Sequence, residues 1–185
     1  MSWYCDVAPG HPVHGPYHDG EYGFPVHDDR VLFERLSLEI FQAGLSWLIV
    51  LKKRPALSAA FDGFDIDRVA AYGEAERARL LTDAGIIRNR RKIDAIIENA
   101  RRLRLLRNSH GSFADWIAAH HPRSKDEWLR LFRKTLVFMG GEVVGEFLMS
   151  IGVLPGAHRP DCPVNAEVLA CNPAWKSEDE GKGRA

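Results

Sequence analysis

The chain has 185 residues, 45% of them apolar, and 25 basic side chains balance 25 acidic ones to a formal net charge of zero. That length and apolar share suffice for a substantial core, in one domain or in two small lobes sharing a cleft, while zero net charge argues against coating nucleic acid by bulk electrostatics. No stretch approaches the roughly 18 uninterrupted apolar residues of a membrane span, the first six residues lack the basic-then-apolar order of a secretory signal, and Cys5, Cys162 and Cys171 are too few for a disulfide framework, so the reading is a cytoplasmic protein whose cysteines bind metal or stay free.

Residues 1–30 are rich in Gly, Pro, His and aromatics and read as a long irregular arm, ordered because Trp3, Tyr4, Tyr17, Tyr22 and Phe24 need somewhere to pack. Asp28 or Asp29 is a good N-cap, and the apolar spacing predicts one helix from there to about Val50, with Pro55 starting another short one. Asp65 to Asp67 caps a helix over Val69 to Tyr72. Further helices fit Glu74 to Thr82, Ile86 to Arg107, Ser112 to His120, Lys125 to Thr135 and Glu142 to Ile151. No alternating strand pattern and no internal repeat is evident, so the fold class is all-α. Residues 1–175 are expected to form a single domain, and residues 176–185 (KSEDEGKGRA) a disordered tail.

The helix over residues 36–51 is apolar around most of its surface yet carries Glu39, which shares a stripe with Gln42, Ala43 and Ser46. Basic residues follow it only at Lys52, Lys53 and Arg54. A buried unpaired carboxylate is costly, so this stripe faces a cavity, a partner or water, or else Glu39 sits at a helix edge with local hydrogen bonds. Residues 83–93 join two helices across Gly85, which is expected to supply a left-handed turn ending the first helix. The run from Arg88 to Arg107 holds eight basic residues against Asp94 and Glu98, a local charge of +6 in a neutral chain. Free backbone N–H groups at the start of such a helix suit a phosphate, which points to sequence-independent DNA binding; an ordinary helical corner with a solvated basic face is the other reading. His158 and Cys162 form a His-x3-Cys pair and Cys5 with His18 a wider one, enough for a closed tetrahedral zinc site, with Cys171, His14 and His11 as competing ligands. Tyr17 to Gly23 places two aromatics and two carboxylates in one short segment, suited to a planar polar ligand such as a nucleobase or to simple packing on the core. No nucleophile with an adjacent base and no P-loop or dinucleotide loop stands out.

Four stretches together resemble the 3-methyladenine DNA glycosylase I family: YHDGEYGFP (17–25), LEIFQAGLSWLIVLKKR (38–54), DAGIIRNRRKIDAIIENAR (83–101) and HRPDC (158–162) with Cys5. The resemblance runs from about Cys5 to Cys162. It implies an all-α helix-hairpin-helix glycosylase fold whose two chain ends are joined by a structural zinc ion at Cys5, His18, His158 and Cys162. It further implies monofunctional hydrolysis of the N-glycosidic bond of alkylated adenine flipped out of double-stranded DNA, with no membrane and no obligate protein partner. Position by position, Glu39 matches the carboxylate that recognises the base, Tyr17 and Trp47 the aromatic walls, and Tyr22 a position where tryptophan is common. Leu45 matches the apolar wedge into the gap in the duplex. Gly85, Ile87, Arg88, Arg90 and Lys92 fall on the DNA-gripping hairpin, although its usual second glycine is Ile87 here. Because 3-methyladenine nucleosides are already cationic, the base leaves readily, and the enzyme must mainly extrude it, fit it and supply negative charge.

One departure stands out. Where the family has a stretch like FVGTTICYSFMQAVG, this chain reads FMGGEVVGEFLMSIG (138–152), with Gly141, Glu142 and Gly145 at the two threonines and the tyrosine. Glu142 and Glu146 are new carboxylates at helical spacing, either solvent-facing or lining the pocket, in which case Glu142 joins Glu39 and base preference shifts or broadens. Val7, where tryptophan is frequent, points the same way. The rival readings are a same-fold N-glycosidase for another base, a non-catalytic zinc-stapled module that binds DNA lesions, and a helical interaction protein whose basic face is merely solvated.

Overall fold

A computed structural model describes residues 4–176, and all regular structure among them is helical. The helices are α1 (Tyr4–Val7), α2 (His14–Gly20), α3 (Asp29–Gln42), α4 (Trp47–Ala60), α5 (Ile66–Ala70), α6 (Glu74–Thr82), α7 (Arg90–His110), α8 (Phe113–His120), α9 (Lys125–Thr135), α10 (Gly141–Ser150) and α11 (Pro163–Ala170), with a single 3-10 turn at Asp62–Phe64. None is long and apolar enough to cross a membrane. The expectation for the tail lies outside the described residues, except that Lys176 donates to the carbonyl of Leu169.

Local capping sets several starts. The Asp28 carboxylate accepts from the amides of Arg30 and Val31 to open α3, Asp65 does the same for α5, and Ser124 with Glu127 forms a capping box on α9. The central pair is α3 and α7. α7 buries Ile93, Ile96, Ile97, Ala100 and Leu103 at helical spacing, and α3 buries Leu32, Phe33, Leu36, Ile40 and Phe41. Around them α5 and α8 pack on α7, while α10 packs on α3 and brings Phe147 parallel to Phe113 with ring centroids 6.0 Å apart. Asn99, fully buried on α7, is satisfied by both the amide and the carbonyl of Val137.

Three expectations are corrected here. The first is the arm, which contains α1 and α2; Pro16 is tolerated because it falls in the first turn of α2, where no helical N–H bond is lost. The second is the helix from residue 28 to 50, which is two helices. It breaks at Ala43 to Ser46, where Gly44 takes a left-handed φ of 80° and the Ser46 hydroxyl caps α4 by accepting from the amide of Ile49. Apolar spacing runs through this break because both helices bury a face on the same core. Pro55 lies inside α4 rather than starting a helix, its neighbours held by the burial of Val50, Leu51, Leu57 and Ala60. The third is α7, which starts at Arg90 instead of Ile86, leaving residues 83–89 as a seven-residue loop capped by Asn89.

Candidate active site and metal centre

The break between α3 and α4 opens onto a cavity of about 500 Å³. Glu39 and Gln42 reach it from the end of α3, Ser46, Trp47 and Leu48 from the start of α4, Tyr17 and Tyr22 from α2 and the loop after it, and Glu146 and Met149 from α10. Of the expected stripe, Glu39, Gln42 and Ser46 line the cavity although the stripe spans a helix break, while Ala43, in the break itself, is exposed and does not. Tyr17 meets Trp47 edge-on at 5.1 Å between centroids and lies 5.8 Å from Tyr22. Together these rings form aromatic walls around a carboxylate.

Glu39 is 5% exposed, and no hydrogen bond to its carboxylate is found among the described residues. Burial, and then the nearby charge of Glu146, push it well above the ordinary carboxylate range, with Arg35 pulling the other way. Arg35, one turn before Glu39, does not neutralise it: its guanidinium pairs with Glu21 at 2.9 Å and donates to the carbonyls of Glu21 and Ser150, while lying 5.2 Å from the centre of the Tyr17 ring. Glu21 in turn is gripped by both Arg54 nitrogens, at 2.7 and 2.9 Å. Burial alone would raise the Glu21 carboxyl, but Arg54 and Arg35 hold it below its usual value. The cation behind Tyr17 is therefore committed, and the carboxylate in front of it is left for a ligand. Sequence reasoning missed Arg35; the available signal was a basic residue among the buried positions of α3, i to i+4 from Glu39.

Glu142 does not line this cavity. It is exposed in the first turn of α10, and Glu146, one turn deeper, forms the wall, where the Tyr22 hydroxyl donates to it at 3.0 Å. Burial raises the Glu146 carboxyl above its ordinary value, Tyr22 and Lys125 opposing and Glu142 adding to the shift. Gly145 is crowded by Lys125, whose Cε would lie 2.7 Å from an added Cβ, so a lysine stem occupies the room beside the glycine. Leu45 sits in the break, 40% exposed, with Ile49 of α4 also exposed nearby in sequence.

Cys5, His18, His158 and Cys162 converge in a buried group whose ligand atoms all lie within 4.8 Å of one another. Cys5 Sγ is 3.8 Å from His158 Nδ1, and Cys162 Sγ is 3.7 Å from His158 Nδ1 and 3.9 Å from His18 Nε2. Tetrahedral ligands at about 2.3 Å (sulfur) and 2.0 Å (nitrogen) from zinc stand roughly 3.6 Å apart, so these separations fit. The imidazole tautomers fit as well. His158 Nε2 donates to the carbonyl of Tyr22 at 2.7 Å and His18 Nδ1 to the Asp19 carboxylate at 2.6 Å, which turns the other nitrogen of each ring toward the sulfurs. The competing residues do not join: Cys171 is exposed, and His11 and His14 pack on each other at the arm. Because His18 follows Tyr17 on α2 and His158 is oriented by Tyr22, this group braces two walls of the aromatic cavity.

The hairpin expectations need correction. Gly85 does not take a left-handed φ; α6 ends at Thr82 with Asp83 as its C-cap, and a Cβ at Gly85 would lie 3.0 Å from the Asp83 carboxylate and in ordinary contact with Ala56 of α4. Lys53 of α4 donates to the carbonyls of Ala84 and Gly85, at 3.3 and 2.8 Å, tying the loop down. Lys92 is no surface cation. It is 5% exposed, and its ammonium donates to the carbonyls of Phe41 and Ala43, at 2.7 and 2.5 Å, capping the end of α3. Much of the remaining charge is structural too: Arg101 holds the carbonyls of Ala70 and Tyr72, Arg102 pairs with Glu98, and Arg107 with Asp67 and Asp29. Arg88, Arg90 and Arg91 are exposed at the loop and first turn of α7, and Ile87 is half-buried beside them.

Residues 7–130 match the family model described as Methyladenine glycosylase. DNA-3-methyladenine glycosylase 1 of Escherichia coli (strain K12) is 46% identical over 113 residues, a match that spans 61% of this chain and 60% of that protein's length. DNA-3-methyladenine glycosylase of Haemophilus influenzae is 32% identical over 182 residues, covering 88% of this chain and 98% of that one. A crystal structure of 3-methyladenine DNA glycosylase I superposes with a TM-score of 0.77 at 36% identity, over 86% of this chain and 97% of that chain. The Staphylococcus aureus enzyme, solved to explain 3-methyladenine recognition, gives 0.77 at 30% identity over 87% and 95%.

Proposed function

The chain belongs to the methyladenine glycosylase family, and from that premise we propose that it is a DNA repair enzyme that hydrolyses the N-glycosidic bond of 3-methyladenine flipped out of duplex DNA. The observation that carries this is Glu39, a buried carboxylate without a protein donor in an aromatic cavity. A ligand without hydrogen-bond donors would leave that group unsatisfied. A cationic base reverses its raised pKa, draws it to the carboxylate and gives it hydrogen-bond donors, while Tyr17 and Trp47 present π-faces to the ring charge. The carboxylate then stabilises positive charge as the bond from the base to C1′ breaks, its electron pair passes to the base, and water adds at C1′. No lysine is among the residues lining the cavity, which favours hydrolysis over a covalent route.

In this reading Leu45, presented by the Gly44 turn at the cavity, fills the gap left by the base. The α6 to α7 loop, with Arg88 and Arg90, grips the backbone as a helix-hairpin-helix element. Gly85 and Lys92 serve it indirectly, one by letting the loop sit on α4 and the other by holding the end of α3. The metal is zinc, held by Cys5, His18, His158 and Cys162; it supplies a cross-link between the chain ends and no step of the reaction. The protein acts as one domain with two lobes around the cavity, on double-stranded DNA containing alkylated bases, in the cytoplasm. Incubation with alkylated duplex DNA and chromatography of the released bases tests the assignment: 3-methyladenine is expected, and a purified, folded protein that releases no base refutes it.

A further inference from the structure

The cavity holds a second carboxylate, Glu146 of α10, beside Glu39. We propose that Glu146 is a second recognition group of this cavity and extends its substrates to guanine methylated at N7. This rests on the glycosylase reading and goes beyond it in naming a further base and the residue that admits it.

Glu146 lines the same cavity as Glu39 and is fixed from one side by the Tyr22 hydroxyl at 3.0 Å. A carboxylate has about four acceptor sites, and Tyr22 fills one; no other hydrogen bond to Glu146 is found among the described residues. When a base fills the cavity and displaces water, each carboxylate needs donors from that base or bears the cost of desolvation. Adenine methylated at N3 carries its N–H donors on the exocyclic amino group alone. Its two N–H bonds diverge from a single nitrogen, so a base that turns that nitrogen to Glu39 brings Glu146 at most one donor beside Tyr22. Guanine methylated at N7 is likewise cationic, but its N1–H and its amino group give three N–H donors on one edge, one more than the adenine offers, for the two carboxylates that line the cavity. Two carboxylates also match the ring charge better than one, and the aromatic walls accept either purine. The bond changes are those of the adenine reaction: the N9 to C1′ bond breaks with its electron pair going to the imidazolium ring, and water bonds to C1′ and releases a proton.

The experiment uses the full chain on one preparation of methylated duplex DNA, which contains both lesions, and follows initial release of 7-methylguanine and 3-methyladenine in the same reaction. The parent is expected to release both. Glu146→Ser, and Glu146→Gln, which keeps the volume and the acceptor for Tyr22 but replaces an acceptor with an amide donor, should each lower the ratio of 7-methylguanine to 3-methyladenine at least tenfold. Thermal melts of each variant confirm folding, and two variants guard against the failure of one. An unchanged ratio, or a parent that releases 3-methyladenine without 7-methylguanine, overturns the role of Glu146 while leaving the glycosylase reading standing. Equal loss of both bases in variants that melt with the parent overturns it too, because Glu146 would then serve the reaction in general. A parent that releases neither base refutes both.

Discussion

Replacing Glu39 with glutamine keeps the shape of the cavity wall and removes a buried carboxyl that has no protein donor. Burial and the charge of Glu146 hold the folded-state pKa above the ordinary value of 4.5. Between those two values the folded chain therefore binds more protons than the unfolded chain, and stability falls as pH rises through the window. Below about pH 4.5 the carboxyl is protonated in both states and this penalty vanishes. An unsatisfied buried polar group costs about 1–3 kcal/mol, and the glutamine amide keeps part of that, so Glu39→Gln should stabilise the free protein by roughly 1–2 kcal/mol at pH 8. For a chain of 185 residues each kcal/mol is worth about 2–4 °C, giving a rise in Tm of about 2–8 °C. The same variant should lose about 10²-fold in base release, since it removes the negative charge opposite the cationic base. Thermal melts of both proteins at pH 5 and pH 8 read the effect, and titration of the metal ligands is common to both and drops out of the difference. A Glu39→Gln protein no more stable than the parent at pH 8, or an offset no larger at pH 8 than at pH 5, refutes the reasoning.

Other expected outcomes follow from the same geometry. Elemental analysis of the purified protein should find about one zinc per chain, and chelation or Cys162→Ser should lower Tm by well over 5 °C, with base release lost in step with folding; a metal-free protein of unchanged Tm would contradict the cross-link. Lys92→Ala should cost about 1–3 kcal/mol in a denaturant melt by stranding the carbonyls of Phe41 and Ala43, and it should leave the salt dependence of DNA binding alone. Arg88→Ala and Arg90→Ala should do the reverse, leaving stability within about 0.5 kcal/mol and lowering the slope of log K against log salt by about 0.9 each. Leu45→Gly should reduce release from duplex DNA more than from single-stranded DNA, because an unpaired base needs no wedge to keep it out; equal losses on both would count against that role.

The sequence by itself carried the helical class, several helix starts and the candidate ligands, because caps at Asp28, Ser112 and Ser124 and the 3.6-residue spacing of α7 act over one or two turns. Glu39 was legible for a similar reason: a carboxylate among apolar neighbours on one helix is an anomaly visible without coordinates. The α3 to α4 break was written there as well, in Gly44 and Ser46, but an apolar pattern shared by two buried helices masked it. The fates of the cations and acids were decided only in the tertiary structure. Lys92 and Arg88 read alike in a basic run, yet one meets the open end of α3 and the other meets solvent, which depends on where α7 crosses α3. Glu142 and Glu146 share a helix face, and the difference between them is depth: the first turn of α10 stands in solvent, and the next faces Tyr22. Four ligands from opposite ends of the chain could be named by residue type, but their match in distance and tautomer came from the packing of α2 against the loop after α10. Local order is dictated by neighbours in sequence. Which charge is buried, capped or left for a ligand is dictated by neighbours in space.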